Sequence, residues 1–109
     1  MESFEAVWEY LQKNLKVGTE IRNWTADKGF LDDSMTIKSV TNLAIDVETP
    51  NAKYVQSVPR ENFETVFKVW EEYKAKSIRR HDIRDMTRFS KYILSILKWR
   101  EMMSSDESV

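Results

Sequence analysis

Between Thr19 and Val58 the apolar residues recur at every second position, while on either side they recur every third or fourth. This change of period restricts the chain to a small sheet flanked in sequence by helices. Phe4, Val7, Trp8, Leu11 and Leu15 share one helical face, which predicts a helix over 3–16 with Ser3 as its cap and Gly18 as its stop. Glu5 and Glu9 lie early in it, where negative charge suits the helix dipole. In the middle stretch Glu20, Arg22 and Trp24 alternate with Ile21 and Asn23, which leaves Trp24 on an outer face. Asp27-Lys28-Gly29 supplies a turn. Met35, Ile37 and Ser39 then alternate with Thr36 and Lys38, and Thr41-Asn42 makes a tight connection. Leu43, Ile45 and Val47 form the clearest half-buried strand, opposed by Ala44, Asp46 and Glu48. Thr49 to Ala52 breaks it, and Lys53 to Val58 returns as a further strand. Connections this short favour antiparallel neighbours.

The expected fold class is therefore α+β: an antiparallel meander of three to four strands (about residues 19–58), packed by an N-terminal helix and three C-terminal helices. Pro59 opens the second helix, whose stripe is Phe63, Val66, Phe67, Trp70 and Tyr73. A shorter third helix, 79–87, has Ile83 and Met86 as its only apolar anchors. Ser90 caps a last helix running to about Met103, and residues 104–109 form a frayed acidic tail. The sheet is expected to pack on the helices at 3–16 and 60–75, with the third helix at the rim. At 109 residues, with no repeat and no linker, the chain makes a single domain, 1–109.

Charge is unevenly distributed. Residues 74 to 100 hold nine Lys or Arg (Lys74, Lys76, Arg79, Arg80, Arg84, Arg88, Lys91, Lys98, Arg100) against Asp82 and Asp85, an excess of +7 in a chain of net charge −1. Such separation points to a local anion, most plausibly nucleic-acid phosphate. Arg80, Arg84 and Arg88 recur at i, i+4 and i+8, so on a continuous helix their guanidinium groups would project about 6 Å apart. The competing reading is a solvated face with internal pairs, Asp82 to Arg79 and Asp85 to Arg88. A helix-turn-helix is disfavoured, because Ile93, Leu94, Ile96, Leu97 and Trp99 demand burial where a recognition helix needs polar side chains. The candidate phosphate contacts are Arg79, Arg80, Arg84, Arg88 and Lys91.

The last helix carries two apolar stripes, Phe89, Ile93, Ile96 and Leu97 on one side and Tyr92, Trp99 and Met103 on another. One small sheet is not expected to cover both, so Tyr92, Trp99 and Met103 are the candidate seam of a homodimer. Asp46 and Glu48 make an acid-x-acid pair on the solvent face of a strand, with no following Lys for a restriction-type centre. His81 is the sole histidine, Cys is absent and there are two Gly. These absences point to a chain that is not an enzyme and has no cofactor, no metal site and no small-molecule substrate. No apolar run approaches the ~20 residues of a membrane span. The acidic amphipathic start and the lack of cysteine suit a cytoplasmic protein.

Val58-Pro59, Phe63 and Val66, Arg79-Arg80, Ile83-Arg84-Asp85 and Ser90-x-Tyr92-Ile93-x-x-Ile96-Leu97 together resemble small α+β modules that accompany prokaryotic restriction-type and HNH-type nucleases. The resemblance covers roughly residues 35 to 100. It implies a strand-strand-helix-helix-helix order and a mobile-element or defence context, and it transfers no catalytic residue. The leading expectation is a non-enzymatic accessory protein of a prokaryote or mobile element that binds DNA or RNA through a basic helix. The rival expectation is a protein-interaction module, homodimeric through its last helix.

Overall fold

In the computed structural model, which describes residues 2–107 and their side chains as far as Ser104, the change of period becomes a change of layer. Helix α1 (Phe4–Asn14) starts where Ser3 Oγ accepts the Ala6 N–H, and it buries Phe4, Val7, Trp8 and Leu11. Leu15 is already extended and turned into the core, so the helix ends before Gly18. Gly18, at φ 92°, instead forms the corner into the sheet, where its N–H reaches Ile37 O at 2.8 Å.

The meander expected from the alternation is present: β1 (Glu20–Thr25), β2 (Gly29–Val40), β3 (Ala44–Glu48) and β4 (Gln56–Pro59) form one antiparallel sheet in the order β1-β2-β3-β4. Gly29, at φ 72°, closes the first turn. Three details depart from the sequence pattern. Leu43 is 74% exposed, because Thr41 Oγ1 accepts the N–H groups of Leu43 and Ala44 and holds Leu43 in the turn. Lys53 to Val55 stay outside β4, which leaves Tyr54 and Val55 exposed. The register also slips at Lys38, between the pairs Ile37↔Val47 and Ser39↔Asp46. That bulge brings Val40, out of phase in the sequence, opposite the buried Ile45 and against the core.

The second helical stripe divides into α2 (Arg60–Phe67) and α3 (Trp70–Lys74). Between them Val69 leaves the helical region (φ −116°, ψ 11°) and its N–H bonds to Val66 O, three residues back. No Gly or Pro marks this break. Tertiary packing accounts for it: Phe63 and Phe67 meet Trp8 and Phe4 of α1, while Trp70 and Tyr73 close around Trp24 at centroid distances of 5.8 and 6.2 Å. Trp24 is thus half-buried under helices and does not lie on the outer face.

Helix α4 (Arg80–Met86) is followed by α5 (Ser90–Glu107). Ser90 is the first helical residue and is buried, so it does not stand as the cap before α5; just ahead of the helix Thr87 Oγ1 accepts the Phe89 N–H at 3.1 Å. The helix runs past the expected end near Met103 to Glu107, so the predicted frayed tail begins as helix, and Ser108 and Val109 lie outside the described residues.

Helix α5, one of the three C-terminal helices expected to pack the meander, is the element that crosses β1; α2, α4 and α1 also pack against it. Ile93, Leu94, Ser95, Ile96 and Leu97 are all buried within this one chain. The crossing is polar at its centre. At Asn23 the β1–β2 register slips, and the Trp24 N–H donates to Ser95 Oγ at 3.0 Å. Ser95 Oγ also lies 2.9 Å from Lys91 O and 3.2 Å from Asn23 Oδ1. The radius of gyration, 13.1 Å, is that of a compact chain of this length.

Ser95→Ala should leave the Trp24 amide without its partner and lower stability by about 1–3 kcal/mol in urea denaturation. A loss below about 0.5 kcal/mol would show that the crossing is held by its apolar neighbours alone.

Candidate nucleic-acid interface

The basic block divides into two groups. Four of its nine cations serve the tertiary structure. Lys74 bonds to Glu71 and Glu101, Lys98 lies 3.6 Å from Glu101, and Lys91 bonds to Asp33 at 2.6 Å. Arg100 is held by both carboxylate oxygens of Glu2 and stacks over Tyr10. Trp70 Nε1 also donates to Glu101, and Lys98 lies over the Trp24 ring. Burial opposes the charge of Lys74, but its bonds to Glu101 and Glu71 prevail and raise its pKa. Burial likewise opposes the charge of Glu101, yet Lys74, Trp70 and Lys98 together lower its pKa. The bond from Lys91 lowers the pKa of Asp33.

The other five, Lys76, Arg79, Arg80, Arg84 and Arg88, make no ion pair with any carboxylate among the described residues. They are consecutive in the block. Lys76 and Arg79 lie in the α3–α4 connection, Arg80 and Arg84 in α4, and Arg88 in the turn before α5. The expected local pairs do not form. Asp82 instead accepts the Arg79 backbone N–H at 2.8 Å and approaches His81 Nε2, while Asp85 is exposed.

Ile83 is the inward residue of α4. At about 100° per residue, Arg80 and Arg84 lie roughly 60° and 100° to one side of it and Asp82 about 100° to the other. The two arginines therefore share a face that the acid avoids. Arg88 departs from the i, i+4, i+8 series, because Thr87 is extended (φ −158°, ψ 142°) and the helix ends before it. Its guanidinium packs over the Phe89 ring, 4.8 Å from the centroid. Of the predicted phosphate contacts, Arg79, Arg80, Arg84 and Arg88 retain unpaired charge and Lys91 does not.

Lys76, Arg79 and Arg80 also line one cavity of about 350 Å³, together with Tyr73, Ile78 and the β1–β2 turn residues Ala26 and Asp27. Sequence reasoning missed Lys76 as a site residue. The available signal was a helix end without glycine, Lys74-Ala75-Lys76-Ser77, which requires another residue to adopt the left-handed conformation. A larger groove of about 540 Å³ lies between α1, α3 and α5 and is lined by Glu2, Glu5, Glu64, Glu71, Glu72 and Glu101 among others, which disfavours phosphate there.

The predicted seam residues differ in exposure. Tyr92 and Trp99 are half-buried against the core of their own chain, and Met102 and Met103 are exposed. Asp46 and Glu48 stand on β3 as expected, and no group of three or more His, Asp or Glu among the described residues could hold a metal ion. No described helix is long and apolar enough to cross a membrane. No protein-family model matches the chain, and no curated protein or solved structure matches it either.

Because Glu101 titrates below its ordinary 4.5, its contribution to stability is complete above that pH and is lost as pH falls through its lower folded value. The Lys74 contribution runs the other way, lost only when pH rises past a value above 10.5. Stability should therefore be flat through neutrality and fall in acid. Glu101→Gln should be destabilised at neutral pH and show a shallower acid limb below about pH 4.5, measured by urea denaturation across pH.

Proposed function

We propose that the protein binds nucleic acid without catalysing a reaction on it, using the surface of segment 76–88. The observation that carries this reading is the run of five cations, Lys76, Arg79, Arg80, Arg84 and Arg88, that have no carboxylate partner among the described residues while every other cation of the basic block has one. Unpaired guanidinium groups keep their donors for phosphate oxygens, where bidentate contact is strongest. Ile93, Leu94, Ile96 and Leu97 of α5 are buried and its cations Lys91, Lys98 and Arg100 are already paired, which disfavours α5 as a reader of base edges. Recognition would then follow backbone and shape more than sequence.

The homodimer reading has less support, since Tyr92 and Trp99 are already packed against their own core and Met103 is the exposed member of the proposed seam. A DNA or RNA target in a prokaryotic or mobile-element setting remains part of this proposal. No described residue cluster favours the metal-dependent nuclease alternative.

Fluorescence anisotropy with duplex and single-stranded oligonucleotides tests the reading. If Arg79, Arg80, Arg84 and Arg88 each neutralise one phosphate, log affinity should fall against log salt with a slope near −3.6 on duplex and about −2.8 on single strands. A triple Arg80→Glu, Arg84→Glu, Arg88→Glu change should abolish binding at ~100 mM salt. Lys91→Gln should weaken it much less than Arg84→Gln, because Asp33 already holds Lys91. Wild-type binding that is absent, or indifferent to the triple change, would refute the proposal.

A further inference from the structure

Helix α3 ends in a Schellman turn: the Ser77 N–H bonds to Glu72 O at 2.9 Å and the Lys76 N–H to Tyr73 O at 3.0 Å. The residue this turn places in the left-handed region is ordinarily glycine, yet here it is Lys76, at φ 65°, the sole non-glycine with positive φ among the described residues. That conformation disfavours a lysine, and Lys76 lines the 350 Å³ cavity. Arg79 and Arg80 line the same cavity, and Arg80 Nε is buried without a hydrogen-bond partner. Tyr73 Oη accepts the Ala26 N–H at 3.1 Å, which leaves its own proton available to a ligand. Asp27 is the one acid in the lining.

We propose that this cavity binds a phosphate monoester, presented by the end of a nucleic-acid strand. Its cations Lys76, Arg79 and Arg80, set against Asp27, leave a charge of +2. A monoester carries about −1.5 to −2 at neutral pH, twice the charge of a backbone diester, and so matches it better. The concave form also suits a terminus, since a strand passing through would need an open groove. The volume exceeds that of a phosphate group and admits the sugar attached to it. This inference rests on the proposed nucleic-acid function and places the strand end at the α3–α4 connection, with the rest of the strand leading toward Arg84 and Arg88.

The test compares a single strand carrying a 5′-phosphate, a 3′-phosphate or neither, by anisotropy at fixed salt, with deoxyadenosine monophosphate and inorganic phosphate followed by thermal shift. One phosphorylated form should bind on the order of tenfold more tightly than the unphosphorylated strand. Lys76→Gly should bring the two within about twofold while raising the melting temperature by roughly 4 °C, because it relieves the backbone and removes the ammonium. Asp27→Asn should widen the phosphorylation-dependent difference. Equal binding of all three strands by the wild type overturns the monoester site and leaves the nucleic-acid function standing. If no strand binds but the mononucleotide raises the melting temperature in the wild type and not in Lys76→Gly, the cavity is a monoester site for a free nucleotide and the nucleic-acid function fails. Absence of both responses overturns both.

Discussion

Where β2 bulges opposite Asn23, the Trp24 N–H of β1 turns to the helix layer, and Ser95 Oγ of α5 accepts it. A buried amide left unpaired would cost about 1–3 kcal/mol, a large share of the stability of so small a domain. The hydroxyl therefore sets where α5 crosses the sheet, since a shift of one residue along the helix would carry it away from the bulge. Much else follows from that crossing. Glu101 comes within reach of Lys74 and Trp70, Lys98 settles over Trp24, and Arg100 meets Glu2. Helix α4 is left at the periphery, anchored chiefly by Ile83.

The same placement sorts the positive charges. Those that fall on α3 and α5 meet carboxylates: Glu71 and Glu101 on the same two helices, Asp33 on β2 and Glu2 before α1. Those on the α3–α4 connection, on α4 and in the following turn meet none. A net charge of −1 thus conceals a domain with six glutamates around one groove and, within the basic block, its unpaired cations along one short segment. Phosphate attracted to that segment would encounter little opposing field beyond Asp27, Asp82 and Asp85.

The α+β class and the strand order were legible because periods of two and of three to four differ sharply, and because short turns leave an antiparallel sheet little freedom. The Ser3 cap and the Asp27-Lys28-Gly29 turn were legible for a similar reason: each rests on local chemistry. What stayed hidden depends on contacts remote in sequence. Neither bulge, in β2 opposite Asn23 or at Lys38, has a composition that announces it; the second overturns the face assignment of Val40, while Trp24 is covered by Trp70 and Tyr73 from the helices. The break at Val69 arises because two aromatic groups require different partners. In the candidate site, the basic block was visible as composition, but Lys91 could be separated from its neighbours only once Asp33, far away in sequence, was seen beside it. Arg88 was assigned to a helix whose end is set by the extended Thr87.

The treatment of the two outer strands bears on how copies of this domain can meet. Strand β4 has four residues and closes on Pro59, which has no N–H to offer a neighbour. On the opposite margin, the Trp24 amide of β1 is already occupied by the serine hydroxyl, and the bulge twists the adjoining backbone out of register. Sheet extension by an added strand, the usual route to unwanted fibrous aggregation, is thereby discouraged at both margins. Any assembly of this protein must instead be built from side chains on its helices or on the open face of the sheet.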